Sequence, residues 1–547
     1  MPIRPLAAAF LLVGTAIAQN TSFPKLSYFR ETLAKTQTRV DLREPVKLRD
    51  FLVKDTLQLS LKSYLELVMA NNTDIQLQLL TLEMPKNAIM RAMSTWDPTA
   101  TASFSSTRAT TPSVSALTGA NTSVSLSQPA SFNFVETLPT GMQYSVGYSA
   151  IKGTTNSSFA TLNPSLSSSL NFAFSQPLLR NRGAYVNRLN LMMAKSRFHI
   201  AGSTLTSNLI QLVNSAENAY WDVVQARENL RVAQSARKLA EDSLALSQKE
   251  LELGAISPLD IYNPQQQLAN AELGVSQARF ALIQVEDALR KQIGADLVPG
   301  LRRAPLELTE TVETAIDTEP LDAEKYVSRA IGTRPDLKAT QQTLDVDDMQ
   351  IHQAKNEILP NLSFTGSYSS QGVGGPLFQQ STDVLTGAIV SGPPIPGGFG
   401  DALSQMFGFG YPIYSFGLNL TLPIRNRAAT ADMADARVQK RHDALTVRDT
   451  QQQIRLSVLQ AVNNVEASKD SVKLALVAQG FAAKYLDAEN QKFTLGSEPM
   501  QFVLQAQTQL SQAESAVVSA QVGLRRNLLN LLTQTGELLD ERGIVVQ

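Results

Sequence analysis

The 547-residue sequence contains no cysteine. Disulfides are therefore excluded, and a lipid-anchored N-terminus, which needs a cysteine directly after the cleavage site, is not expected. Aromatic residues make up only 6 % of the chain, which favours closely packed long helices over a bulky globular core. Neither charge sign dominates: 48 basic residues stand against 49 acidic ones, so nothing points to nucleic acid. Long hydrophobic runs are also missing. Arg4 precedes an apolar stretch over residues 6–18 that ends Ala16-Ile17-Ala18 before Gln19, which predicts a secretory signal peptide over 1–18. No later stretch reaches the ~18 apolar residues of a membrane helix. Any further contact with a membrane must then be made by β-strands.

Signs of catalysis are missing as well. The three histidines, His199, His352 and His442, are scattered over predicted helices without a second ligand at metal spacing. Gly372, Gly374 and Gly375 lie in a Pro-rich loop and form no phosphate loop. No nucleophile elbow occurs. The sequence predicts a non-enzyme that needs no cofactor and binds no metal.

What the chain does contain, it contains twice. Asp74-Ile75 and Trp96-Asp97-Pro98 recur as Asp336-Leu337 and Leu359-Pro360-Asn361. Pro177-Leu178 with Arg180-Asn181-Arg182 recurs as Pro423-Ile424 with Arg425-Asn426-Arg427. Gly254, Leu268 and Gly294 recur as Gly496, Leu510 and Gly536. A period of about 250 residues is too long for a solenoid and reads as a duplicated half-domain. The spacing shrinks mainly between Pro98 and Pro177, so one segment accounts for most of the difference between the copies.

The helices carry a 4-3 spacing. Leu205, Leu209, Leu212, Ala216, Ala219, Val223, Ala226, Leu230, Ala233, Arg237, Ala240, Leu244, Ser247 and Leu251 form one seam. Such a 3.5-residue repeat belongs to coiled coils. No proline interrupts 184–252, so a single helix of roughly 100 Å is expected there. The second copy matches more weakly, through Ile454, Val458, Ala461, Val465, Ser468, Val472 and Ala475. Apolar positions off the seam predict two packed neighbours for each helix. Each long helix ends at a glycine, Gly254 or Gly496, and a second helix follows at once, which predicts an antiparallel hairpin with a glycine cap. A kink is expected at Pro85, a helix start at Pro335, and a helix opening at Asn263-Pro264. A soluble two-stranded coiled coil remains open at this point.

Between the helices lie strands. Residues 99–175 are rich in Ser, Thr and Asn alternating with apolar residues, and Leu138-Pro139-Thr140-Gly141 joins two such runs as a hairpin. Residues 361–370 and 413–422 alternate in the second copy. Apolar residues alternating with small polar ones suit a membrane barrel, although half-buried soluble sheets alternate too. Residues 115–160 are expected to form an extracellular hairpin extension outside the barrel wall. Residues 371–412 read as a surface loop, whose Leu403, Met406, Phe407 and Phe409 leave room for a constriction or a packed flap.

In this order and spacing, over about residues 56–540, the chain resembles the TolC-type outer-membrane efflux proteins, the outer membrane factors of tripartite efflux and type I secretion systems. The carrying elements are the duplicated half, Pro98/Pro360, Pro177/Pro423, the turns Leu253-Gly254 and Leu495-Gly496, and the segments Asp260-Ile261-Tyr262-Asn263 and Phe502-Val503-Leu504-Gln505-Ala506. The resemblance implies an α+β membrane protein: a homotrimer with a 12-stranded outer-membrane barrel, four strands per chain, continued by a long helical periplasmic tunnel. On this reading 19–59 is an N-terminal collar segment and 60–297 the first repeat, with strands 99–110 and 166–176 and helices 184–252 and 258–293. A collar linker, 298–321, leads to the second repeat, 322–539, with strands 361–370 and 413–422 and helices 427–494 and 499–534; 540–547 is a tail. The implied function is passive conduction from an inner-membrane pump and a periplasmic adaptor to the outside, or, alternatively, an outlet for protein secretion. A periplasmic coiled-coil protein without a pore is the reading from another class. The implied gate is the pair of tips, with Gly254, Asp260, Phe493, Gly496, Glu498, Phe502 and Gln505. Phe493 cannot donate to Asp260 as a tyrosine would. The expected gate is therefore held more by packing than by charge, unless these residues simply pack between hairpins.

Overall fold

In a computed structural model the described residues are 48–53, 56–112, 122–157, 159–297, 301–302, 304–311, 320–382 and 389–544. The expected signal peptide (1–18), most of the N-terminal collar segment, residues 298–300 and 312–319 of the linker, and the last three residues lie outside them.

The chain opens with β1 (Leu52–Val53) and β2 (Thr56–Leu59), then three short helices, α1 (Leu61–Asn71), α2 (Thr73–Thr81) and α3 (Glu83–Met93). Strands β3 (Thr99–Phe104), β4 (Thr107–Pro112), β5 (Thr122–Thr137), β6 (Gln143–Thr155) and β7 (Ser165–Pro177) lead to the long helix α4 (Ala184–Glu252) and its return, α5 (Tyr262–Gln292). After β8 (Leu306–Leu308) the plan repeats: α6 (Ala323–Thr333), α7 (Pro335–Ile358), β9 (Asn361–Gly374), a loop with β10 (Gln380–Thr382), β11 (Ile389–Ser391) and α8 (Phe399–Phe407), then β12 (Pro412–Thr421). The long helix α9 (Arg427–Thr494) returns as α10 (Met500–Thr535), and the chain closes with α11 (Leu538–Glu541).

The repeated motifs mark joints. Asn72 caps α2 by accepting from the backbone N–H groups of Asp74 and Ile75, and in the second copy Pro335 opens α7. Ile75 and Leu337, at matching positions of the two copies, are both fully buried. Pro85 lacks the N–H that would reach Thr81, and the helix breaks there at Leu82. The repeated Arg-Asn-Arg sits where sheet becomes helix. Asn181 donates its N–H to Asn356 Oδ1 (3.0 Å), and Asn426 donates to Glu357 O (3.4 Å), so both asparagines tie onto the end of α7.

The long helices measure 69 and 68 residues, each about 100 Å at ~1.5 Å per residue. Along the α4 seam only Arg237 is exposed. A second stripe, Ile210, Val213, Tyr220, Trp221 and Val224, is buried as well, which gives α4 a second packed side. Contacts run from α4 to α5, α7 and α10, and from α9 to α7 and α10. Near the middle of the helices β2 pairs in parallel with β8. Tyr64 and Tyr220 are buried there with ring centroids 5.5 Å apart, and Arg542 reaches the buried Glu217 at 2.6 Å.

The sheet departs from expectation. Its order is β12-β9-β7-β6-β5-β3, with β4 pairing β5 beyond β3 as one interrupted span. The four strands implied by the resemblance are present, but the hairpin β5–β6 lies between the first and second of them. It pairs with β7 from Gln143↔Ser175 to Gly153↔Ser165. Residues 115–160 are thus not an extension beyond the sheet. Their described part runs its full height, and the turn at Gly141 packs against the neck: a Cβ there would lie 2.6 Å from Asn181 O.

The start of α5 also differs. Asp260 N–H donates to Ser257 O at 2.9 Å, and Ser257 N–H donates to Asp260 Oδ2 at 3.1 Å. This turn consumes the residues ahead of Tyr262, so the helix begins later than 258 and one residue before Asn263. Pro264 falls in the first turn, where its missing N–H has no helical partner to lose.

Candidate channel wall and helix tips

Because opposite residues in a ladder point to the same face, the register sorts every side chain of the sheet. One row runs Ala100, Phe134, Val146, Phe172, Tyr368 and Tyr414 across β3, β5, β6, β7, β9 and β12. The next row runs Thr101, Asn133, Gly147, Asn171, Ser369 and Ile413. One face is therefore apolar and aromatic. Phe364 stacks on Phe416 with centroids 6.2 Å apart, and Phe174 meets Phe364 at 5.7 Å. The opposite face is built mainly of hydroxyls and amides, with Val135, Ile151, Ala173, Val373 and Ile413 among them. Ser103–Ser131, Ser149–Ser169 and Ser367–Ser415 pair across neighbouring strands at 2.7, 2.7 and 2.8 Å. The charged residues of these strands, Arg108, Glu136 and Lys152, all belong to the apolar face, so the hydroxyl face carries no charge among the described residues.

The loop after β9 folds back onto the outer end of the apolar face. Ser168 and Ser370 donate their hydroxyls to Ala402 O and Met406 O at 2.9 and 2.6 Å. Cβ atoms at Gly372 and Gly374 would come within 1.9 and 2.1 Å of Ala402 O and Gly398 O, so both positions require glycine. Met406 is buried under this flap, while Phe407 and Phe409 are exposed. Of the two possibilities open for this loop, the described part forms a packed flap.

At the far end of the helices both tips close alike. Gly254 has φ +72°, Ala255 N–H donates to Glu250 O (2.8 Å), and Gly254 N–H donates to Leu251 O (3.0 Å). Gly496 also has φ +72°, with Ser497 N–H to Lys492 O (3.0 Å) and Gly496 N–H to Phe493 O (2.9 Å). Each is a Schellman ending, which needs the left-handed conformation glycine adopts without strain.

Beyond the glycines the tips diverge. In the first, Asp260 is exposed and occupied with its own turn, and Leu253, Leu259 and Tyr262 are 83 %, 74 % and 64 % exposed. In the second, Phe493 packs with Leu486, Met500, Val503, Ala506 and Leu510. Phe502 and Gln505 point away from that cluster and are exposed. The structure does not gather the seven candidate residues into one constellation. The hairpins meet slightly further in, where Gln507 donates to Ser243 Oγ (2.8 Å) and Gln267 to Thr508 Oγ1 (2.9 Å).

Sequence reasoning missed a charged knot at the second tip. Lys492 Nζ lies 2.8 Å from Glu489 Oε1 and 3.1 Å from Glu498 Oε1. Glu489 is only 2 % exposed, and its second oxygen has no hydrogen-bond partner among the described residues. Glu498, folded back beside it, and then the hydrogen bond from Lys492, hold the Glu489 carboxyl below its ordinary range. The same partners raise Lys492, Glu489 first. The i, i+3 spacing of Glu489 and Lys492 is visible in the sequence; the return of Glu498 depends on the turn geometry. This tip is held by charge as well as by packing.

The profile of the outer membrane efflux protein family matches residues 143–295 and 326–537, one stretch in each repeat and together more than half of the chain. A probable outer membrane lipoprotein, SilC of Salmonella typhimurium, is 22 % identical over 341 residues; the match covers 60 % of this chain and 64 % of that relative, less than two thirds of its length. Among solved structures, a membrane protein from Pseudomonas aeruginosa superposes with a TM-score of 0.62 at 17 % identity, covering 87 % of this chain and 93 % of that one. The Campylobacter jejuni CmeC outer membrane channel superposes with a TM-score of 0.61 at 16 % identity, covering 90 % and 88 %. The fold they share is a barrel wall continued by a helical tunnel. The two-faced sheet is thus the outer-membrane wall, and the paired long helices reach into the periplasm. Two matched repeats over most of its length show that the chain belongs to the outer membrane efflux protein family.

Proposed function

We propose that this channel is the exit duct of a tripartite efflux system, in which a periplasmic adaptor meets the helix tips and an inner-membrane pump supplies the energy. The observation that carries the proposal is the two-faced sheet joined directly to helix hairpins about 100 Å long. Such a molecule offers lipid an apolar surface and water a continuous polar path.

A single copy cannot close that path. Every residue of β12 and of β3–β4 is exposed, so both sheet edges carry unpaired backbone groups that lipid cannot satisfy. Head-to-tail pairing of β12 with the next copy's β3–β4 removes both edges, and three copies close the ring. The helices call for the same neighbours. Leu273 and Phe280 on α5, and Leu474 and Phe481 on α9, are 58–67 % exposed and seven residues apart in each pair, as unmatched coiled-coil positions are. Residues 1–18 act as the signal peptide, and the described linker residues, with Glu310 on the Tyr220 hydroxyl, belong to the collar. Opening is a realignment of the helix hairpins at the tips when the adaptor binds.

The test is fractionation followed by recording. The protein should enter the outer-membrane fraction as a heat-modifiable oligomer, give stepwise conductance in planar bilayers, and cross-link through its tips to an adaptor. Recovery as a soluble periplasmic rod without conductance would overturn the proposal. Cross-linking to an adaptor that serves an ATP-driven protein exporter would reassign the duct to protein secretion.

A further inference from the structure

The inserted hairpin has the properties of a channel wall. It spans the sheet from the neck to the outer end, with β6 paired to β7 over 11 residue positions and β5 paired to β6 over 13. Its side chains alternate in phase with the other strands. Phe132 and Tyr148 stand opposite one another on the apolar face, and Ser131 and Ser149 on the hydroxyl face. It is bonded on both flanks at hydroxyl level, through Ser103–Ser131 and Ser149–Ser169, each at 2.7 Å. Its turn is seated on the neck, with Gly141 against Asn181 and Asn187. Gly147 leaves room for the Asn133 amide, whose oxygen would lie 2.5 Å from a Cβ there, so the two strands are fitted to each other on the hydroxyl face.

We propose that β5 and β6 are two additional staves of the barrel, so that each copy contributes six spans and the closed trimer has ~18 strands rather than ~12. This rests on the channel reading above. Barrel diameter grows roughly in proportion to strand number, so at ~4.8 Å between strands and a tilt of ~40° the wall widens from ~24 to ~36 Å. The added lumen surface is mostly serine, with Asn133, Gln143, two threonines, two glycines and the uncharged Pro129, Val135 and Ile151. The insertion therefore makes the outer-membrane pore about half as wide again without adding charge to it. Its chemical consequence is room for bulky, hydrated cargo, with selection left to the far tips.

The absence of cysteine allows a clean test on the full-length protein in outer membranes. Single substitutions Ser131→Cys, Phe132→Cys, Tyr148→Cys and Ser149→Cys are labelled with a water-soluble maleimide, beside Ser367→Cys and Tyr368→Cys in β9. The prediction is alternation in every strand: Ser131, Ser149 and Ser367 positions label faster than their neighbours by on the order of tenfold, because a thiol facing lipid does not ionise. The pair Ser149→Cys with Ser169→Cys should also lose both free thiols on mild oxidation. If Ser367 and Tyr368 alternate while the hairpin positions label uniformly and the pair stays reduced, the hairpin is an external flap and the proposal fails. If Ser367 and Tyr368 label equally too, the barrel reading itself fails.

Discussion

The two helix tips begin from one geometry and end in different chemistry. Both long helices stop at a glycine with φ +72° and close with the same pair of backbone hydrogen bonds. After that the first tip spends its residues on a Ser257–Asp260 turn and leaves Leu253, Leu259 and Tyr262 bare. The second turns more tightly into α10 at Met500, and tucks Phe493 into an apolar cluster beside the Lys492 knot. Duplication has kept the backbone solution, which glycine dictates, and released the side chains to specialise. On the proposed reading the second tip holds itself, and the first is the one the adaptor meets.

This contrast can be broken experimentally, beginning with its packing. Phe493→Ala should cost the second tip about 2–3 kcal/mol, at or below the bottom of the ~3–5 kcal/mol range for a fully buried phenylalanine, because Phe493 is only partly buried. Phe502→Ala should stay within about 0.5 kcal/mol, since its ring is exposed. Hydrogen exchange in the last turns of α9 reads both. Similar effects from the two would mean that the cluster does not hold the tip.

The glycines should behave as equals. Gly254→Val and Gly496→Val each force a β-branched residue into the left-handed region, at about 1–2 kcal/mol. Exchange at the ends of α4 and α9 should rise by the same amount. A large difference would show that one turn is braced by something other than its glycine.

Acid should separate the tips. Glu489 has a lowered pKa, so its contribution is present above the ordinary glutamate value and is lost as pH falls through the lowered one. Lys492 has a raised pKa, so its contribution is complete below the ordinary lysine value and fades only as pH rises through the raised one. The second tip should therefore hold through neutral and mildly acidic pH and loosen in stronger acid. Glu489→Gln should abolish that acid step, as exchange across a pH series would show.

The smallest expected effect lies away from the tips. Asp347 on α7 is 3 % exposed and faces Asp443 on α9, with Asp348, Lys440 and His442 nearby; burial first, and then Asp443, push its carboxyl up to about 6. A raised acid stabilises most below its ordinary range and loses that contribution as pH rises through about 6. The α7–α9 contact should be tighter at pH 5 than at pH 7.5, and Asp347→Asn should flatten the difference. An unchanged profile in that variant would assign the dependence elsewhere.

Much of this architecture is legible in the chain because its signals are local or periodic. The 4-3 seam shows itself over 14 positions of one helix, and a glycine followed by a new helix start announces each turn. The place of the hairpin is not legible. Its alternation over residues 122–155 is the same whether it stands in a wall or beyond it, and only the register with β7 decides. The Lys492 knot is half visible for a related reason: Glu498 joins it across a turn whose geometry residue spacing does not encode. Phe493 and Asp260 look like partners when the copies are aligned, yet each is satisfied within its own hairpin.

We propose that the second tip keeps the duct closed by its own packing and charge, while the first is left for the adaptor. Single-channel recording on purified oligomers, comparing Phe493→Ala with Asp260→Ala, tests this most directly. The account predicts a higher open probability for Phe493→Ala and an Asp260→Ala channel close to the parent. Opening by Asp260→Ala with no change from Phe493→Ala would contradict it.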